Sequence, residues 1–322
     1  MTISNGRTWR YAFTSALGSS HLKSGIPCQD SSECAIQDHG DESYLVAVVA
    51  DGAGSAKYSQ YGSRLACHLI HESVQPLIEQ GLGLDQVDRE FAEELIKRFQ
   101  VMVKRIARRT NNKPRDFACT VLAALIAPDR AAFFQIGDGA IVVSRATPPE
   151  DVSEKGETSY DWVFWPQNGE YANETVFATG DNACEDMQFA ICHENIDEVA
   201  VFSDGIQNLV LDNKNRVAHS SFFEPMFGAV RKEGLGYSET LSQSLERYLN
   251  SRSILSRTDD DKSLVLATRR HPQPPAALPS LGGDPFGVRA VAPSTMSHTS
   301  EGDDASETLD TSAQPDEGQA AR

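Results

Sequence analysis

Short apolar or β-branched runs bounded by Gly, Asp or Pro recur along the first 270 residues, at 46–50, 120–126, 131–136, 140–143, 199–202 and 263–268. Runs of this length without polar alternation predict strands buried on both faces. Two segments keep a helical period instead. One carries Leu65, Leu69, Ile70, Val74, Leu77 and Ile78; the other carries Val87, Phe91, Leu95, Ile96, Phe99, Val103 and Ile106, with Asp85 placed to cap its start. Two successive helices between strands, and an expected hairpin at Gly137-Asp138-Gly139, depart from the strict alternation of a parallel βαβ sheet. The pattern therefore predicts antiparallel sheets covered by helices. A polar stretch at 147–161 reads as a surface loop, and Lys104, Arg105, Arg108 and Arg109 as the solvated face of the second helix.

The periodicity lapses after residue 270. Positions 271–322 hold 7 of the 15 prolines and eight acids against two arginines, with hardly a periodic apolar position. Such a segment buries too little apolar surface to offset its chain entropy. A disordered, acidic, Pro-rich tail is expected there, and a single folded domain over 1–270.

Composition narrows the function classes. The 322 residues are 40% hydrophobic, enough for a large core, and no apolar run approaches the ~18 to 20 residues that span a bilayer. The polar start MTISNGRTWR lacks the apolar segment of a secretory signal, so a cytoplasmic location is expected. Acids outnumber bases by 46 to 29, a formal charge of −17 that opposes binding to nucleic acid or to an anionic membrane surface. The six cysteines (Cys28, Cys34, Cys67, Cys119, Cys184, Cys192) form no CxxC pair and read as reduced, buried thiols, not as a zinc ribbon or a disulfide framework.

The candidate chemistry lies in a repeated arrangement, an apolar strand ending in Asp-Gly. It occurs as VAVVADGAGS with Asp51, FFQIGDGAIV with Asp138 and VAVFSDGIQN with Asp204; a further acid, Asp260 in TDDDKSLVLA, precedes a strand. A strand delivers its end residue to a fixed edge of the sheet, and an adjacent Gly lets backbone and ion approach closely. Carboxylates gathered at one edge repel unless a cation sits among them, and all-oxygen ligation suits Mg²⁺ or Mn²⁺. Asp-Gly is also a favoured turn dipeptide, so Asp138 stays open to either reading on local sequence. The Gly/Ser-rich loop after Asp51 lacks the Lys-Ser/Thr of a P-loop, which argues against nucleotide binding.

The ordered series Pro27-Cys28-Gln29-Asp30, Ala50-Asp51-Gly52-Ala53-Gly54-Ser55, Ala118-Cys119-Thr120, Gly137-Asp138-Gly139, Ser203-Asp204-Gly205 and Asp260-Asp261-Lys262-Ser263 resembles the metal-dependent type 2C serine/threonine protein phosphatases. HLKSGIPCQD and NGEYANET resemble a divergent bacterial branch, and the likeness runs from about Gly18 to Ala267. It implies an α+β fold, a central antiparallel β-sandwich flanked by helices in four αββα layers. It also implies a centre of two Mn²⁺ or Mg²⁺ ions and hydrolysis of phosphoserine or phosphothreonine by a water bridging them, with a phosphoprotein substrate and an opposing kinase. Carried over residue by residue, Asp51 would bridge the ions and the Gly52 carbonyl would ligate one. Asp204 and Asp260 would hold the other, Asp138 a weaker third ion, and Asp30 would orient the attacking water.

Three positions depart from the family pattern. Gly25 stands where an Arg usually clamps the substrate phosphate, leaving His21, Lys23, Lys57 or Arg64 as substitutes. Gln29 replaces a Glu, and Ala53 replaces a His that is a candidate general acid. A catalytically weak phosphoprotein-sensing module and a small-molecule phosphoesterase are the alternatives. Trp162 and Trp165 read either as a substrate rim or as core, and Glu170, Asn173 and Thr175 lie in a motif of unassigned role.

Overall fold

The computed structural model describes residues 8–145, 159–167 and 175–270; the expected tail at 271–322, most of the expected loop at 147–161, and Glu170 and Asn173 lie outside the described residues. In chain order β1 (Thr8–Ala16) and the short α1 (Ser19–Ser24) precede β2 (Ser31–His39) and β3 (Glu42–Ala50). Two long helices follow, α2 (Ser59–Glu79) and α3 (Arg89–Arg109), then β4 (Val121–Ile126), β5 (Ala131–Ile136), β6 (Ala140–Arg145) and β7 (Asp161–Trp162). After α4 (Ala183–Asp186) come β8 (Gln188–Cys192), β9 (Ile196–Phe202), α5 (Asp204–Val210), β10 (Leu211–Asp212) and β11 (Val217–Ala218). The described chain closes with α6 (Ser220–Val230), β12 (Gly236–Tyr237), α7 (Glu239–Leu249), α8 (Arg252–Leu255) and β13 (Lys262–Arg270).

Two sheets carry the fold, in the orders β12-β1-β13-β9-β6-β7 and β2-β3-β4-β5-β8. All their pairings are antiparallel except the short β1–β12 contact. The unbroken apolar runs follow from burial on both faces. In β3, Leu45, Ala47 and Val49 meet the other sheet, while Val46, Val48 and Ala50 meet α2 and α3. In β9, Val199 and Val201 enter the space between the sheets, while Ala200 and Phe202 pack with Phe223 and Phe227 of α6 and Leu241 and Leu245 of α7. The result is the expected four-layer αββα sandwich.

Three local expectations are corrected. The cap of α3 is Asp88, whose Oδ1 accepts the Phe91 N–H (2.8 Å), while Asp85 is exposed and pairs distantly with Arg130. Such a cap contributes about 1 kcal/mol, whereas burying a side chain such as Leu95 or Phe99 contributes roughly 1.5–3 kcal/mol, so packing dominates and the helix starts where its apolar face starts. Gly137-Asp138-Gly139 is not a hairpin. β5 pairs with β4 and β8, and β6 with β9 and β7, so these residues carry the chain from one sheet to the other. All six cysteines are free, but only Cys34, Cys67 and Cys119 are buried; Cys28, Cys184 and Cys192 are half-buried. Lys104, Arg105, Arg108 and Arg109 are exposed as expected. Trp162 and Trp165 contact edge to face at 5.5 Å and pack on the α6–α7 core. No helix of the described residues is long and apolar enough to cross a membrane.

Candidate metal centre

Strand register gathers the Asp-Gly ends. Ala140 and Leu264 both pair with Phe202, so Asp138, Asp204 and the turn at Asp260 leave the first sheet together. In the second sheet Ser31 pairs with Ala50, which sets Asp30 beside Asp51, and Gly52 bridges to Cys119 next to β4. The Asp51 N–H donates to Thr120 Oγ1 (2.9 Å) and its carbonyl accepts the Thr120 N–H (2.7 Å), which fixes the end of β3. The sheet crossover at Asp138 is shaped by Gln135, whose buried Nε2 donates to the carbonyls of Gly137 (3.1 Å) and Gly139 (2.9 Å), and by Gln167 Oε1, which accepts the Gly137 N–H (2.8 Å).

Carboxylate oxygens of Asp51, Asp138 and Asp204 lie within 4.8 Å of one another. Two unit charges at that separation repel by about 3 kcal/mol at an effective dielectric constant near 20. Asp260 is exposed and adds its field to Asp138 and Asp204. Asp30 is buried beneath Asp51, and Ser203 Oγ donates to its Oδ2 (2.7 Å). Loss of contact with water, more than any other influence, pushes the buried Asp30 and the half-buried Asp51, Asp138 and Asp204 carboxyls up. Asp30 rises to about 7, with Asp261 adding to the rise, and Asp204 to about 6, with Asp138 and Asp260 adding. Asp51 is held well above the usual range by burial and then by Asp30 and Asp204. Asp138 is raised by burial and lowered in part by Thr175, whose Oγ1 donates to its Oδ2 (2.7 Å).

A hard divalent cation fits this donor set. Asp30 Oδ1, Asp138 Oδ1 and Asp204 Oδ1 are buried without a hydrogen-bond donor, and unpaired buried charge is costly unless a proton or a metal ion meets it. Protons and metal therefore compete for the same oxygens. Because the folded values of Asp30 and Asp204 are raised, the folded protein binds more protons than the unfolded chain between about pH 4 and 7, and metal-free stability drains away as pH rises through that window. The Mn²⁺-induced rise in Tm is expected to be small at pH 5 and full above about pH 7. Thermal melts in Mn²⁺ and in chelator from pH 5 to 8 measure it; an equal rise at both ends contradicts the assignment.

Asp261, which is not among the expected site residues, is the organiser of the site. Its side chain is 2% exposed and accepts three hydrogen bonds: from Gly18 N–H (2.6 Å), Gln29 N–H (2.6 Å) and His21 Nδ1 (2.9 Å). It thereby joins the start of α1, the loop carrying Asp30 and the entry to β13, while the exposed neighbour Asp260 accepts the Asp261 N–H through Oδ1 (2.8 Å) and lies outside the group of three carboxylates. Only the Asp-Asp-Asp run signalled it. Of the phosphate-contact candidates, His21 is held by Asp261 with Nε2 unengaged by that bond, whereas Lys23, Lys57 and Arg64 are exposed and Lys57 lies over the Tyr58 ring (4.9 Å). Gly25 ends α1 with φ +68°. Gly52 sits where a Cβ would meet the Gln29 carbonyl oxygen at 2.6 Å, so the Asp30 loop closes directly over the Asp51-Gly52 turn. Ala53, at the position of the family's usual His, is buried.

A family profile described as Protein phosphatase 2C matches residues 17–250. Over 262 residues the chain is 32% identical to "Serine/threonine-protein phosphatase 3" of Escherichia coli (strain K12), covering 81% of this chain and 98% of that protein. Among solved structures, the fold resembles a serine-threonine phosphatase 2C from Toxoplasma gondii (TM-score 0.55, 13% identity, 82% of this chain and 95% of that one) and the serine/threonine phosphatase Stp1 from Staphylococcus aureus (TM-score 0.52, 15% identity, 80% and 94%). It also resembles the catalytic domain of the phosphatase PstP in complex with two manganese ions (TM-score 0.50, 14% identity, 82% and 99%).

Proposed function

Since the chain belongs to the protein phosphatase 2C family, we propose that it hydrolyses phosphoserine and phosphothreonine in phosphoproteins with Mn²⁺ or Mg²⁺ held at the Asp51–Asp138–Asp204 cluster. The observation that carries this reading is the convergence of three carboxylates within 4.8 Å, with buried oxygens that lack donors. Asp51 and the Gly52 carbonyl would hold one ion, Asp51, Asp204 and Asp260 the other, and Asp138 a third. When bound, the ions supply Lewis acidity, lowering the pKa of a water and stabilising charge that develops on the phosphate. Asp30, buried and steadied by Ser203 and by Asp261 through the Gln29 N–H, is positioned to hold a proton and orient that water. Among the substitutes for the missing Arg, His21 is the one whose orientation is fixed, because Asp261 holds the imidazole at Nδ1. The substrate's source is an opposing kinase. Assaying a phosphopeptide panel and a small phosphomonoester with Mn²⁺, Mg²⁺ and chelator tests the reading; metal-dependent turnover of the peptides is expected, and equal turnover in chelator refutes it.

Asp138→Asn separates the turn reading from the metal reading. The crossover has no hairpin to satisfy, and Asn retains an acceptor for Thr175. Loss of the charge is expected to lower kcat about tenfold and to raise the Mn²⁺ concentration needed for activity, with Tm unchanged within about 2 °C. Superimposable Mn²⁺ curves would reduce Asp138 to a structural residue.

The folded unit is proposed to end with β13. Arg270 pairs with Thr8 in the sheet and its Nη2 donates to the buried Glu198 Oε1 (2.9 Å), so the boundary falls after this residue. Truncation after Arg270 is expected to leave Tm within about 2 °C and basal activity within about twofold, measured by thermal melt and phosphopeptide assay. A large fall in Tm would move the boundary.

A further inference from the structure

Lys262 is the only fully buried lysine among the described residues, and it opens β13 two positions after Asp260. Its Nζ donates to the Asp260 carbonyl oxygen (2.8 Å). Its stem runs beside Gly205, next to Asp204, where an added Cβ would meet Lys262 Cγ at 3.2 Å. Burial is the largest influence and holds its pKa below the usual lysine value, while the fields of Asp261, Asp260 and Asp30 act in the opposite direction and favour the ammonium. An ammonium taken out of water carries a penalty of several kcal/mol unless charge nearby offsets it. Here the hydrogen bond goes to a carbonyl, and Asp261 already accepts from Gly18, Gln29 and His21. The acids that reach the ammonium are Asp260, whose carbonyl it holds, Asp261 and Asp30, on the turns that flank the Asp51–Asp138–Asp204 cluster.

We infer that Lys262 is a resident cation of the carboxylate centre, a fixed charge that offsets part of the acid field and thereby sets how tightly the centre holds divalent ions. The inference rests on the proposal that these aspartates are metal ligands. Its physics is Coulombic. A positive charge lying behind the ligands repels an incoming dication, and in a partly buried site that repulsion is screened far less than at the surface. Being fully buried, Lys262 touches no substrate, so it tunes the site without catalysing. The expected consequence is a centre whose occupancy follows the ambient ion concentration.

Isothermal titration of Mn²⁺ into the metal-stripped full-length protein tests this without any turnover. Lys262→Met keeps the stem and removes charge and donor; Lys262→Gln removes the charge but keeps an N–H. Both variants are expected to bind Mn²⁺ about tenfold tighter than the wild type. If Nζ only braces the Asp260 carbonyl, the Met variant binds more weakly and the Gln variant recovers; that outcome, or unchanged affinity, overturns the inference. Should the Met variant fail to fold, the Gln variant decides alone: tighter binding supports a charge effect, and equal or weaker binding overturns it. A wild type that takes up no Mn²⁺ refutes the metal reading itself, a result distinct from equal binding by wild type and variants.

Discussion

Asp51→Ala and Asp204→Asn are each expected to lower metal-dependent phosphatase kcat by about 10³-fold or more, while raising the Tm of the protein measured in chelator. The two effects share one cause. Metal ions at such a centre contribute several kcal/mol to charge stabilisation, and each 1.36 kcal/mol is a factor of ten in rate. Each ligand also belongs to a cluster of oxygens within 4.8 Å, so without a cation the same carboxylates repel. Burial has already pushed Asp51 well up, and Asp30 and Asp204 push it further. Removing one member relieves the others, and stability gained at the expense of function marks a site built for a ligand rather than for packing. Activity assays with saturating Mn²⁺, paired with melts in chelator, measure both. A variant that keeps robust turnover contradicts the ligand role, and one that melts lower in chelator contradicts the repulsion argument.

Gly205→Ala is the second large effect. Gly205 follows Asp204 in the first turn of α5, and a Cβ built there lies 1.9 Å from the Asp261 carbonyl oxygen and 3.0 Å from its carbon. The obstruction is backbone, which has no rotamer to change, and the Asp261 side chain is tied on three sides. The Asp259–Lys262 turn must move away from Asp204, opening the metal centre and the seam between α1 and β13. Overpacking of this kind costs about 3 kcal/mol or more, which for a domain of this size lowers Tm by roughly 10 °C. Mn²⁺ binding should weaken in parallel. Thermal melting and Mn²⁺ titration of the purified variant check it; a Tm within about 2 °C of wild type would show that the turn accommodates a methyl group.

Most of the sandwich was legible in the chain because its central strands are buried on both faces, and that burial writes continuous apolar runs. All six predicted strands and both long helices are present, and the Asp-Gly ends do converge. The outlying strands β1 and β2 were missed, since each has a more polar outward side and reads locally as loop. The crossover at Asp138 was misread as a hairpin because Gly-Asp-Gly between two apolar runs has the same local signature whether the next strand returns to its own sheet or joins the facing one.

The sequence by itself determined the element types, the acidic character and the order of the carboxylate motifs, because these depend on neighbours along the chain. Only the tertiary structure decided which of three consecutive acids turns inward and which stays exposed. Asp259, Asp260 and Asp261 are equivalent on paper, but Asp261 turns inward to the Gly18 and Gln29 amides and to His21, while Asp260 stays exposed beside Asp138 and Asp204. Likewise only the structure showed that Lys262 is buried with its stem beside Gly205, and that Thr175, from a motif of unassigned role, meets Asp138. These are contacts between residues 37 to 243 positions apart in the chain, and they are set by the closing of two sheets, information no local pattern carries.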